Sequence, residues 1–141
     1  MSWFSKALIA VLLTQGASLG ESLEITVEVD IFSGRPNPTW KMNAVEAERV
    51  IRMLAQMPRS SPDSFADRLG YRGILLHVPN ATWRLFDGRA FESSSGQGAI
   101  DGGRRLERLT IESGKTKIGP KLYRTVLEAS GLRSGRNGGR K

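Results

Sequence analysis

The sequence predicts an α+β domain: a small antiparallel or mixed sheet of about four strands, with two to three helices packed on one face. Three observations carry this. Residues 23–32, LEITVEVDIF, alternate apolar with polar or acidic side chains at the period of two that marks a strand with one wet face. Residues 43–57 place Ala47, Val50, Ile51 and Leu54 at helical spacing. The expected element order, one strand, a helix, three strands and two helices, contains no long internal repeat and suits helices laid against one side of a sheet.

Ahead of the first strand, residues 1–20 read as an export leader. Lys6 supplies the basic end, residues 7–13 the apolar stretch, and Ser18 and Gly20 the small residues three and one before a cut that leaves Glu21 first. Residues 7–13 are apolar on every side of a helix, whereas a surface helix keeps one polar face. They are also far shorter than the roughly 20 residues of a membrane span, so none is expected after cleavage. The expected organisation is a signal peptide over residues 1–20, one domain over 21–132 and a disordered basic tail over 133–141. The location is then secreted or periplasmic. A chain without cysteine has no disulfide, thiol nucleophile or zinc knuckle, and an exported domain of this kind is more at home in bacteria.

The strand over 23–32 ends at SGRPNPT, where two prolines and a glycine predict a rigid loop. Asn43 then caps a helix to about Met57, with Glu46 as its capping-box partner and Glu48 with Arg52 as an i,i+4 pair. A polar connection follows, with a helical turn around 64–69 begun by Asp63 and closed by Gly70. Residues 71–78 read as an inner strand. Residues 82–86 and 89–92 flank Asp87-Gly88, which suits a two-residue type I′ hairpin. Residues 93–103, with three serines in a row and four glycines, read as a mobile loop. Asp101 can cap a helix from Gly102 or Gly103 to about Ser113 that buries Leu106 and Leu109; the β-branched Thr110 and Ile111 leave a strand open there. A last helix opens at Pro120, turns Leu122, Val126 and Ala129 inward, and stops at Gly131.

The formal charge of +7 is unevenly placed. The last nine residues hold four of the 21 basic groups, and Lys6 leaves with the leader, so the domain itself carries only about +2. Nucleic acid is therefore the expected partner only if the chain is not exported. An envelope polymer or a secreted protein is expected otherwise.

No catalytic spacing stands out. His77 is the single histidine and lacks a G-x-S-x-G elbow or an H-E-x-x-H partner, so neither a triad nor a zinc site is expected. Asp87-Gly88 and Asp101-Gly102 lack the order of a calcium loop. The Gly-rich run before Arg104 meets neither the dinucleotide nor the P-loop pattern, so no cofactor is expected. Arg104, Arg105 and Arg108 at a helix start form a candidate anion site. Glu92, Asp101 and Glu107 could supply a carboxylate pair to a small hydrolase of cell-wall or sugar polymers, the alternative to a binding module. The most distinctive stretch is residues 33–40, SGRPNPTW. Its prolines hold Arg35, Asn37 and Trp40 as a guanidinium, an amide and an aromatic plate, the groups of a binding hot spot. The competing expectation there is that Trp40 fills the core and Arg35 pairs with an acid such as Asp30.

The leader, the strand followed by SGRPNP-x-W, Leu69-Gly70-Tyr71-Arg72-Gly73, and the run from Gly103 to Arg108 together resemble a set of small uncharacterised bacterial proteins. The resemblance covers most of the mature domain and implies one intact domain, with no activity to carry over. Leu109-Thr110 stands where that set would have a more apolar helix. The expected function is an exported binding or interaction module.

Overall fold

The computed structural model describes residues 23–62 and 68–132. The expected leader, part of the turn expected around 64–69 and the expected disordered tail lie outside the described residues. The elements are β1 (Thr26–Val29), β2 (Thr39–Lys41), α1 (Ala44–Gln56), β3 (Arg59–Ser60), β4 (Ile74–Val78), β5 (Ala81–Phe86), β6 (Arg89–Glu92), β7 (Gly98–Ile100), a 3₁₀ turn (Gly102–Arg104), α2 (Arg105–Ser113) and α3 (Pro120–Ser130). All seven strands join one antiparallel sheet in the order β2-β1-β4-β5-β6-β7-β3.

The alternation in β1 decides which face meets the helices. Ile25, Val27 and Val29 are fully buried, while Glu28 and Asp30 point to the other, polar face. Register carries that choice across the sheet, since directly opposed residues share a face. One row runs Trp40, Val27, Leu76, Trp83. A second runs Val29, Ile74, Leu85, Ala90, Ala99, Arg59. Above these rows, α1 contributes Ala47, Val50, Ile51 and Leu54, α2 contributes Leu106 and Ile111, and α3 contributes Val126, all in one hydrophobic cluster. Burying each of the larger side chains contributes about 1.5–3 kcal/mol.

Local signals act where expected. The Asn43 side chain accepts from the Glu46 N–H at 2.9 Å, and Glu48 lies 3.6 Å from Arg52. Asp87 and Gly88 both have positive φ, as a type I′ turn between β5 and β6 requires. Asp101 accepts from the backbone N–H groups of Leu106 and Glu107. Residues 105–113 are a helix and not a strand, because Thr110 and Ile111 are buried on its inner side, where packing outweighs β-propensity.

Four expectations need correction. The sheet has seven strands, not about four. The additional β2, β3 and β7 are two or three residues long, too short for a period-two pattern to show, and lie in stretches read as a rigid loop, a polar connection and a mobile loop. Their neighbours recruit them: Val29 donates to the Pro38 carbonyl and Ile100 to the Pro58 carbonyl, both at 2.9 Å. The helix after Asp101 starts at Arg105, behind the 3₁₀ turn, because Gly103 and Arg104 both take positive φ. Leu109 is only half-buried, and Glu107 and Thr110 are buried instead. Ala129 is exposed and Ser130 buried, because α3 turns the larger Tyr123 and Leu127 toward the core.

Gly73 sits just before β4, against the last residues of β5. Its φ is +95°, and a Cβ there would lie 2.3 Å from the Leu85 carbonyl oxygen. Gly73→Ala is expected to cost about 2 kcal/mol or more in urea unfolding, against about 1 kcal/mol for Gly34→Ala, which has positive φ but open space around it.

Candidate functional site

The polar face of the sheet is organised around Asp30, just beyond β1. Arg72 donates to its Oδ1 from Nε at 3.0 Å and from Nη2 at 2.6 Å, and Arg84 donates to its Oδ2 at 3.0 Å. Burial would raise the Asp30 pKa, but hydrogen bonds and charge from the two arginines hold the carboxyl below its ordinary value. Asn37 completes the cluster. Its Oδ1 accepts the N–H groups of Ile31 at 3.1 Å and Phe32 at 2.9 Å, which fixes the amide orientation, and its Nδ2 donates to Glu28 at 3.0 Å and to Asp30 at 3.4 Å. The prolines of this loop limit its backbone, and Asn37 then pins it to the strand it leaves.

The three residues singled out in this loop therefore have three different places. Asn37 faces inward to the carboxylates. Trp40 is in β2, 6% exposed, packed in the core with its indole N–H 2.8 Å from the Ser113 hydroxyl. Arg35 alone is at the surface, and its guanidinium lies 3.6 Å from the centre of the Phe32 ring. Trp40 thus fills the core, whereas the Asp30 pairing expected for Arg35 goes to Arg72 and Arg84.

A second guanidinium repeats the Arg35 arrangement nearby. Arg68 lies 5.1 Å from the centre of the Phe86 ring. Arg72 brings the two stacks together, since it donates to the Phe32 carbonyl at 3.0 Å and to the Arg68 carbonyl at 3.5 Å. Leu69, beside Arg68, is 91% exposed. Among the described residues neither Arg35 nor Arg68 has a carboxylate partner. Of this surface, Arg35 was singled out in the sequence within SGRPNPTW and Arg72 within LGYRG; Arg68, Phe32 and Phe86 carry no pattern that distinguishes them.

The expected anion site divides in the same way. Arg105 and Arg108 are exposed, but Arg104 turns back onto Glu107, with Nε 3.0 Å from Oε1 and Nη2 2.5 Å from Oε2. Glu107 is fully buried and also accepts from the Tyr71 hydroxyl at 2.5 Å and the Asp87 N–H at 3.0 Å. The hydrogen bond to Glu107 raises the Arg104 pKa; burial and the Glu107 charge push the Tyr71 phenol far above its ordinary range, so it stays a neutral donor. Asp101, 2% exposed, caps α2. Glu92 accepts the hydroxyl and N–H groups of Ser94 and Ser95, which hold its pKa down against the effect of burial. All three acids considered for hydrolysis thus have structural partners.

His77 bridges strands on the polar face, with Nε2 3.1 Å from Glu28 Oε2 and Nδ1 3.3 Å from Thr82 Oγ1. A carboxylate only accepts, so Nε2 donates to Glu28, while Nδ1 shares a hydrogen bond with the Thr82 hydroxyl. The ring borders an open depression with Asn80, Thr82, Glu92 and Ser93.

The chain matches no family model, no curated protein and no solved structure. Among the described residues no group of three or more histidine, cysteine or acidic side chains could hold a metal, and no helix is long and apolar enough to cross a membrane.

Two stability measurements follow. The Asp30 carboxyl is depressed, so its contribution is present above its unfolded value of about 3.9 and is lost as pH falls through the lower folded value. Asp30→Asn should lower the urea midpoint at neutral pH and flatten its fall below about pH 4. Glu107→Gln places an amide among four donors, and should cost about 3–5 kcal/mol in the same assay.

Proposed function

We propose that this chain is an exported binding module whose contact surface is the loop end of the polar sheet face, with Arg35 on Phe32 and Arg68 on Phe86 as anchors. Its partner is anionic: an acidic envelope polymer or an acidic segment of a secreted protein. The observation that carries the reading is the pair of exposed guanidinium groups that have no carboxylate partner among the described residues, each stacked on an aromatic ring and tied to the other through Arg72. Stacking limits the side-chain freedom that binding would otherwise remove, while leaving the charge available. The exposed Leu69 adds an apolar contact beside it.

Export is supported by the leader pattern of residues 1–20, in which Lys6 precedes the apolar stretch over residues 7–13 and Ser18 and Gly20 supply the small residues before a cut. Binding is favoured over hydrolysis because Asp101 and Glu107 are buried and engaged by structural donors.

Titration with poly-glutamate, with dextran as the neutral control, tests this surface. The full chain should bind poly-glutamate in preference to dextran, and the Arg35→Ala/Arg68→Ala double variant should bind about five- to tenfold more weakly with an unchanged unfolding midpoint. Deleting residues 133–141 should leave most of the affinity. Equal binding by the double variant, or loss of binding with the tail, would remove the proposal.

A further inference from the structure

At the opposite edge of the sheet, Arg59 has an environment that the fold does not explain. It opens the two-residue edge strand β3 and pairs with Ala99, so its side chain lies on the helix-covered face. It ends the row Ile74, Leu85, Ala90, Ala99, in which the two alanines carry only methyl groups. Across them the guanidinium reaches Trp83, at 5.7 Å from the ring.

Arginines on surfaces normally bury the stem and keep the head in water. Arg59 reverses this: the residue as a whole is partly exposed, yet Nε, Nη1 and Nη2 are all buried and, among the described residues, none has a hydrogen-bond partner. The acid nearest in register to Trp83 is Glu92, and its oxygens are occupied by Ser94 and Ser95. A buried charge with five unused donors is strongly unfavourable unless something accepts from them. Burial accordingly lowers the Arg59 pKa.

We propose that Arg59, held over Trp83 at the β3 edge, is the receptor for the carboxylate of a ligand. The planar fork matches a carboxylate through two parallel N–H···O bonds. The indole face holds the cation in place in the absence of ligand. Because β3 is a terminal strand, rotation of the Arg59 side chain can turn the fork toward the sheet edge without breaking a hydrogen bond of its own. The site is separate from Arg35 and Arg68, and its test leaves both of those residues intact.

The experiment uses the full chain and acetate as the probe, at constant ionic strength against chloride, with phosphate as a second anion. Acetate should move the Arg59 Nε–H resonance saturably. It should also raise the melting temperature by about 5 °C when present at about ten times its dissociation constant. Arg59→Met should melt no lower than wild type in chloride and should lose the response to acetate. An unmoved Nε–H resonance, equal stabilisation of wild type and variant, or a variant that melts well below wild type in chloride would each overturn the proposal. A response to phosphate without one to acetate would overturn the carboxylate assignment.

Discussion

Glu107 is a fully buried carboxylate, and the placement of α2 depends on what surrounds it. Tyr71 reaches it from the approach to β4, the Asp87 N–H from the β5–β6 turn, and Arg104 from the start of α2. Arg104 also donates to the Ser130 carbonyl at 2.9 Å, which brings the end of α3 to the same point. Three parts of the chain thus meet on the Glu107 side chain, and a fourth joins through Arg104. Buried ion pairs often contribute little net stability compared with an apolar substitute, but removing one partner leaves the remaining donors uncompensated. The geometry of Arg104 follows from this contact: the residue takes φ +55°, unusual outside glycine, with its guanidinium on Glu107.

Asp30 has the corresponding role on the polar face. It holds Arg72 and Arg84, and through Arg72 it governs where the carbonyls of Phe32 and Arg68 lie. Asn37 ties the proline-containing loop to the same cluster. The surface presented by Arg35 and Arg68 is therefore a consequence of a carboxylate and an amide beneath it, both of them partly shielded from water. A rigid framework set by inward-facing polar groups leaves the outer guanidinium groups available for contact. Arg59 differs: it has an aromatic neighbour but, among the described residues, no carboxylate partner.

Much of the architecture was legible in local pattern. The alternation of β1, the stripe and Asn43 cap of α1, the Asp87-Gly88 turn, the Asp101 cap and the Pro120 and Gly131 boundaries of α3 each depend on residues within a few positions of one another. The short strands were not legible, because β3 exists only through pairing with β7 about forty positions away, and β7 itself is three residues within a stretch of serines and glycines. Nor was the burial of Glu107, since an acid three residues from an arginine reads as a solvated helix pair until Tyr71 and Asp87 are brought to it. In the proline loop the sequence marked a distinctive segment, and the fold divided its residues between the core, a polar cluster and the surface.

The amino-acid sequence by itself determined the class of fold, the positions of the helices and hairpin, and the face of β1 that enters the core, because periodicity, capping and turn chemistry act over short distances along the chain. Tertiary structure alone decided which charges are neutralised and which remain available. The side chains of Arg72, Arg84 and Arg104 are chemically the same as those of Arg35, Arg59 and Arg68; only the register of the sheet and the packing of α2 place carboxylates beside the first three, while among the described residues the others have none.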